Sequence, residues 1–282
     1  MRLDDYRESD NIEDRRGGGV GAGGVGIGGV ILALVISYFT GINPLTLLGL
    51  MEQTPLAQHA PVAHKPPAND ESARFVSKVL ASTEDVWTET FRQTGRRYEA
   101  PKLVLFTGAT PTACGTGQTA MGPFYCPGDH KVYIDLAFYR ELKERFHAPG
   151  QFAQAYVVAH EVGHHIQNLL GVAEKVHRTQ QRVGHAEANA LSVRMELQAD
   201  CLAGVWGKRT DSMRQVLEPG DLEAALNAAA AIGDDRLQQQ AQGRIVPESF
   251  THGSSAQRVR WFRRGFDSGD MNQCNTFQAE QL

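Results

Sequence analysis

Residues 160–165 read His-Glu-Val-Gly-His-His, and this run constrains the chain more than any other feature. In an α-helix, positions i and i+4 lie on one face, about one turn apart. His160 and His164 can therefore aim two imidazole nitrogens at a single metal ion. Glu161, next to the first of them, can reach a water on that metal rather than the metal itself. The flanking residues support a helix: Phe152, Ala155, Tyr156, Ala159, Gly163, Ile166 and Leu170 recur at helical spacing, and Gly171 supplies a stop. His165 is rotated off the His160/His164 face by about 100° and reads as structural. The competing reading is a helix whose histidines make only hydrogen bonds.

A catalytic zinc takes three protein ligands and leaves its fourth position to water. A third histidine on the same run is excluded, because the positions that would hold the glycine and histidine of that variant are Gln167 and Leu170. A later segment, about Glu187 to Lys208, is rich in Ala, Leu and Met, lacks Pro, and reads as a helix. It carries Glu196 and Asp200 at i and i+4. One carboxylate can bind the metal while the other accepts the free N–H of a ligand histidine and fixes its orientation. Leu197, Ala199 and Cys201 point to a buried setting, where carboxylates need partners; an exposed acidic face is the alternative. On spacing alone His177, His185 and Glu187 compete for the third-ligand place.

The pairing of H-E-x-x-H with a later E-x-x-x-D resembles the glutamate-type zinc peptidases, the thermolysin-like clan and its membrane-associated relatives. That resemblance implies Glu196 as the third ligand of one Zn2+ and Asp200 as the partner of His160. Glu161 then acts as general base, taking a proton from a zinc-activated water and delivering it to the leaving amine. The developing oxyanion needs a further donor. The stretch Phe250 to Arg258 resembles the His-Pro-x-x-x-x-Arg element of related membrane peptidases, which implies His252 and Arg258 as donors. Gly253 stands where that element has proline, and His252 as a surface or helix-entry residue is the alternative.

Between Arg16 and Glu52 there is no charged residue. Val20 to Ile42 is long enough to cross a bilayer, which takes about 20 apolar residues. Gly-x-x-x-Gly pairs such as Gly17/Gly21 and Gly24/Gly28 offer a route to a homodimer. The expected organisation is a disordered, charged cytoplasmic tail (1–16), a Gly-rich transmembrane helix (17–42), a Pro/Ala-rich spacer (43–69) and a zinc-binding domain (70–282). Arg2, Arg7, Arg15 and Arg16 precede the span and Lys65 is the first basic residue after it. The expectation is thus a single-pass inner-membrane protein, N-terminus cytoplasmic and domain outside. A flexible glycine linker is the alternative. All four cysteines fall in the C-terminal part, and in an oxidising compartment Cys114–Cys126 and Cys201–Cys274 are the expected pairs. Three pairings are formally open, as are four reduced thiols.

Within 70–282 the patterns predict a helix over Asp70 to Tyr98, a strand over Lys102 to Thr107 and a hairpin joining 124–126 to 132–135. Helices follow at 138–146, at the H-E-x-x-H run, around Glu196, at 221–232 and at 254–265. Strands first and helices after give an α+β fold. An edge strand within Gln118 to Cys126 is expected to pair with an extended substrate. A net charge of −4 and a pI near 6.2 give no basis for nucleic-acid binding.

Over nearly its whole length the chain resembles a bacterial family of single-pass neutral zinc metallopeptidases. The likeness lies in Arg7 to Arg16, Cys114 to Gln118, Met121 to Cys126, His160 to Gln167 and Glu196 to Cys201. It implies a zincin-like catalytic domain acting on protein or peptide substrates. The competing function class is a catalytically idle, membrane-tethered zinc domain that binds a partner or assembles a complex. Glu161 favours the enzyme, because a structural site needs no general base and tends to take four protein ligands.

Overall fold

Along strand β2 (Lys102–Phe106) Leu103 and Leu105 alternate with Val104 and Phe106, all four buried, so the sheet that contains them must be covered on both faces. The computed structural model, which describes residues 1–16 and 63–282, shows how. Strands β1 (Ile12–Asp14), β2, β6 (Lys131–Asp135) and β5 (Phe124–Cys126) form one sheet in the order β1-β2-β6-β5. β1 and β6 run parallel to β2, and β5 closes the far edge antiparallel to β6. The register aligns Leu103 with Val132, Leu105 with Ile134 and Tyr125 with Val132, and this set faces the helices. The alternate set, Val104, Phe106, Tyr133, Phe124 and Cys126, forms a second small core. A hairpin of β3 (Ala109–Thr112) and β4 (Gly115–Gln118) lies across Phe124; a Cβ at Gly117 would stand 2.3 Å from that ring.

The helical layer comprises α1 (Glu71–Gln93), α2 (Ala137–Glu144), α3 (Gln151–Leu169), α4 (Val172–Gln180), α5 (His185–Arg214), α6 (Asp221–Ala231), α7 (Asp234–Gln242) and α8 (Ser255–Ser268). Asp70 caps α1 by accepting the Ala73 N–H at 2.9 Å, and Ser254 with Gln257 forms a capping box on α8. Trp87, Phe152, Tyr156, Trp206 and Phe262 fill the core between the helices. α5 and α8 touch backbone to backbone, since a Cβ on Gly265 would stand 1.9 Å from the Cys201 carbonyl oxygen. The disulfide Cys201–Cys274 closes the same crossing, and Cys114–Cys126 ties β5 to the end of the β3–β4 hairpin.

The mixed α+β arrangement and the main helices follow the pattern read from the sequence, but the N-terminal organisation does not. Residues 1–16, expected to be disordered, belong to the domain. β1 pairs with β2, and the Glu84 carboxylate accepts hydrogen bonds from Arg7 Nη2 (2.8 Å), Asn11 Nδ2 (2.8 Å) and Ser9 Oγ (2.5 Å). Burial works to raise the pKa of Glu13, yet contacts with Lys131, Arg15 and Lys102 bring it down to about 2. A three-residue strand with two acids in it carries no periodicity, so only its distant partners define it. A chain starting at Glu71 leaves Glu84 buried without these donors and is expected to be at least about 2 kcal/mol less stable. Urea unfolding checks this; midpoints equal to the full chain would show that the tail adds nothing.

The expected single-pass localisation is also overturned. Among the described residues no helix is long and apolar enough to cross a membrane. Asp14 N–H donates to the His64 carbonyl at 2.8 Å, and His64 N–H donates back to that of Asp14 at 2.9 Å. Arg16 reaches Asp70 at 2.8 Å. Residues before and after the supposed span thus share one folded body, and they cannot sit on opposite sides of a bilayer. The segment 20–42 itself, with its proposed dimer contacts, lies outside the described residues.

Candidate metal centre

His160, Glu161 and His164 sit mid-way along α3, and Glu196 and Asp200 face them from α5. The two helices come this close because Gly163 has no side chain; a Cβ there would stand 3.0 Å from the Ala199 Cα and carbonyl oxygen. His160 Nε2 lies 3.2 Å from Glu196 Oε2, and His164 Nε2 lies 3.4 Å from Glu196 Oε1. Ligand atoms about 2.0–2.1 Å from a tetrahedral zinc stand roughly 3.3 Å apart, so both separations suit that ion. Among the described residues this is the one group of three His, Cys, Asp or Glu side chains placed to share a cation. His177, His185 and Glu187 are exposed and outside it.

Each histidine is oriented through its other nitrogen. A carboxylate only accepts, so Asp200 Oδ1, 2.9 Å from His160 Nδ1, takes an N–H there and turns Nε2 toward Glu196. Gln167 does the same for His164, with Oε1 2.9 Å from Nδ1. Its amide is fixed in turn, because Nε2 donates to the Met195 carbonyl at 2.7 Å and to Gln198 Oε1 at 3.2 Å. Burial alone lowers the pKa of His160, but Asp200 and Glu196 raise it to about 10. Burial likewise works to raise that of Glu196, while His164 and His160 hold it well below the carboxylate range. A cation and a proton compete for these same lone pairs.

Glu161 is buried, and burial raises its pKa. It lines the same cavity, of about 630 Å³, as His160, His164, Glu196 and His252. His252 is half-exposed, with Nδ1 3.1 Å from Asp234 Oδ1. Asp234 Oδ2 accepts the backbone N–H groups of Thr251, His252 and Gly253 at 2.7, 2.6 and 3.1 Å. Gly253 has φ +91°, and proline at that place could neither adopt this angle nor donate. The departure from the expected His-Pro element therefore has a local cause.

Arg258, expected beside the substrate, is 1 % exposed and holds Asp200, with Nε 2.8 Å from Oδ2 and Nη2 2.9 Å from Oδ1. Nη2 also reaches Tyr156 Oη at 3.2 Å, and Tyr156 itself donates to Asp200 at 2.5 Å. Arg258 supports the carboxylate behind His160, gives one Nη1 N–H to the Ile232 carbonyl at 3.3 Å, and lines the cavity beside His160 and Glu196.

The structure thus gathers His160, Glu161, His164, Glu196, Asp200, His252 and Arg258 at one place. Sequence reasoning missed Gln167, Tyr156 and Asp234. Gln167 could have been found, since it follows His164 by three residues on the same helix; Asp234 has no local signal. A family described as "putative neutral zinc metallopeptidase" matches residues 1–277. The chain belongs to this family. It is 57 % identical over 286 residues to the uncharacterized protein YpfJ of Escherichia coli, covering 98 % of this chain and 99 % of that one. It is 45 % identical over 222 residues to the uncharacterized protein Rv2575 of Mycobacterium tuberculosis, covering 75 % and 74 %. No solved structure matches. The zinc in the family's description agrees with a donor set of two imidazoles and one carboxylate.

Proposed function

We propose that this protein is a zinc-dependent peptidase with a zincin-like catalytic domain. The observation that carries the proposal is the place of Glu161: a buried carboxylate facing the cavity of the His160–His164–Glu196 cluster, yet not one of its members. His160, His164 and Glu196 hold the ion in this reading. Zinc bound there supplies Lewis acidity, polarising a peptide carbonyl and letting water ionise near neutral pH. Glu161 accepts a proton from the attacking water and passes it to the leaving nitrogen as the C–N bond breaks, giving a carboxylic acid and an amine. His252, held by Asp234, offers its remaining N–H to the oxygen that gains charge. The hydrogen bond that His252 gives to Asp234 raises the pKa of His252, which favours that donor form. The substrate backbone lies extended along the free edge of β5.

The test uses the full chain, stripped of metal by a chelator and reloaded with one equivalent of zinc. The loaded protein is expected to cleave a denatured protein or a peptide library, the stripped protein to cleave neither, and reloading to restore the activity. Full zinc occupancy without cleavage would favour the reading as an idle zinc-binding domain.

A further inference from the structure

The third histidine of the His160–His165 run serves neither the metal cluster nor solvent. We propose that His165, with Tyr125 and Asn168, forms a strap that fixes the free edge of β5 against the metal helix and so sets the subsite for the peptide main chain. The inference rests on the peptidase reading above. β5 has three residues and one neighbour, β6, so its own ladder is short for holding a defined position. Phe124 and Cys126 point into the core beneath the hairpin, while Tyr125 alone is directed at the helices. There it meets α3.

The hydrogen bonds run in one order. His165 Nε2 lies 2.7 Å from the Glu99 carbonyl, which can only accept, so Nε2 carries the hydrogen. Nδ1 is then bare and accepts the Tyr125 O–H at 3.0 Å. The same Tyr125 oxygen accepts Asn168 Nδ2–H at 3.1 Å. His165 and Asn168 are three apart on one face of α3, and His165 is 1 % exposed. His164, beside His165 on the same helix, belongs to the metal cluster. One tyrosine side chain therefore links the substrate edge to the ligands, and Tyr125 also lines the cavity. Displacing a reacting group by about 1 Å can cost on the order of 10²-fold in rate. The substrate class that fits is an extended, unfolded segment recognised through its main chain, with tolerance for sequence.

Tyr125→Phe keeps the ring and removes the link. In the full chain it is expected to retain one zinc and to speed amide exchange at 124–126 by about tenfold, leaving 132–135 unchanged. Placed in a Glu161→Gln background, it is expected to weaken binding of a labelled decapeptide about tenfold. Binding of a blocked dipeptide hydroxamate, which spans only the metal, should not change. His165→Phe should give the same losses, not additive with those of Tyr125→Phe. Unchanged exchange with unchanged decapeptide affinity overturns the strap. Equal weakening of both ligands overturns it too, by showing a disturbed metal site. If the Glu161→Gln protein binds neither ligand, the peptidase reading falls and the subsite with it; faster exchange at 124–126 would then mark a purely structural link.

Discussion

Replacing Glu161 by Gln is expected to lower kcat by about 10²- to 10⁴-fold while zinc stays at one per chain. The two carboxylates at the centre differ in this respect. Glu196 is within 3.2 and 3.4 Å of the two imidazoles, so its loss removes a place for the ion. Glu161 is outside that group, and an amide of the same size fills its buried position without a cavity. What the amide cannot do is take a proton from water. Steady-state kinetics on a peptide substrate, with metal analysis of the same sample, separates the two roles. Equal kcat in both proteins would remove Glu161 as the base; loss of zinc along with activity would make it a ligand.

The centre was legible where its chemistry lies within single helices. The i, i+4 spacing of His160 and His164 and of Glu196 and Asp200 is a local property, and helical periodicity places each pair on one face. Bringing the two faces together was not local. It depends on Gly163 against Ala199 and on the α5–α8 crossing at Gly265. Asp234 and His252 are 18 residues apart and meet through a loop nest, for which no spacing rule exists. The likeness to a His-Pro-x-x-x-x-Arg element marks Arg258 but not its partner, because helix α8 turns it inward to a carboxylate on another helix.

The N-terminal region failed for a related reason. Hydropathy over Val20 to Ile42 measures the segment alone and says nothing of where its flanks lie. The Asp14–His64 bridge and the ion pairs of Glu13 place both flanks on one sheet, a long-range fact that composition does not carry. The charged run Arg7 to Arg16 looked like solvated chain because its partners, Glu84, Asp85, Lys102 and Lys131, are 70 to 120 residues away. Charges that would favour disorder in isolation instead satisfy each other across the fold.

Arg258→Met is expected to destabilise the zinc-loaded protein by about 3–5 kcal/mol, the range for leaving a buried charge without its partner. Asp200 is fully buried and receives Arg258, Tyr156 and His160 on its two oxygens. Removing the guanidinium leaves a carboxylate with one formal negative charge and no strong cation beside it. Arg258→Lys should recover only part, since an ammonium lacks the planar fork that meets the two oxygens with parallel N–H bonds from separate nitrogens. Replacing both members, Asp200→Leu with Arg258→Met, should restore much of the stability, because apolar pairs often substitute for buried ion pairs without loss. Zinc affinity should not return with it: His160 Nδ1–H has then lost its acceptor, and removing such a partner typically costs 10- to 100-fold in metal binding. Urea unfolding and competition with a chelating dye measure the two effects separately. If Arg258 instead served the substrate, Arg258→Met would unfold at the wild-type midpoint and lose only kcat, and its ion pair with Asp200 would be incidental to the fold.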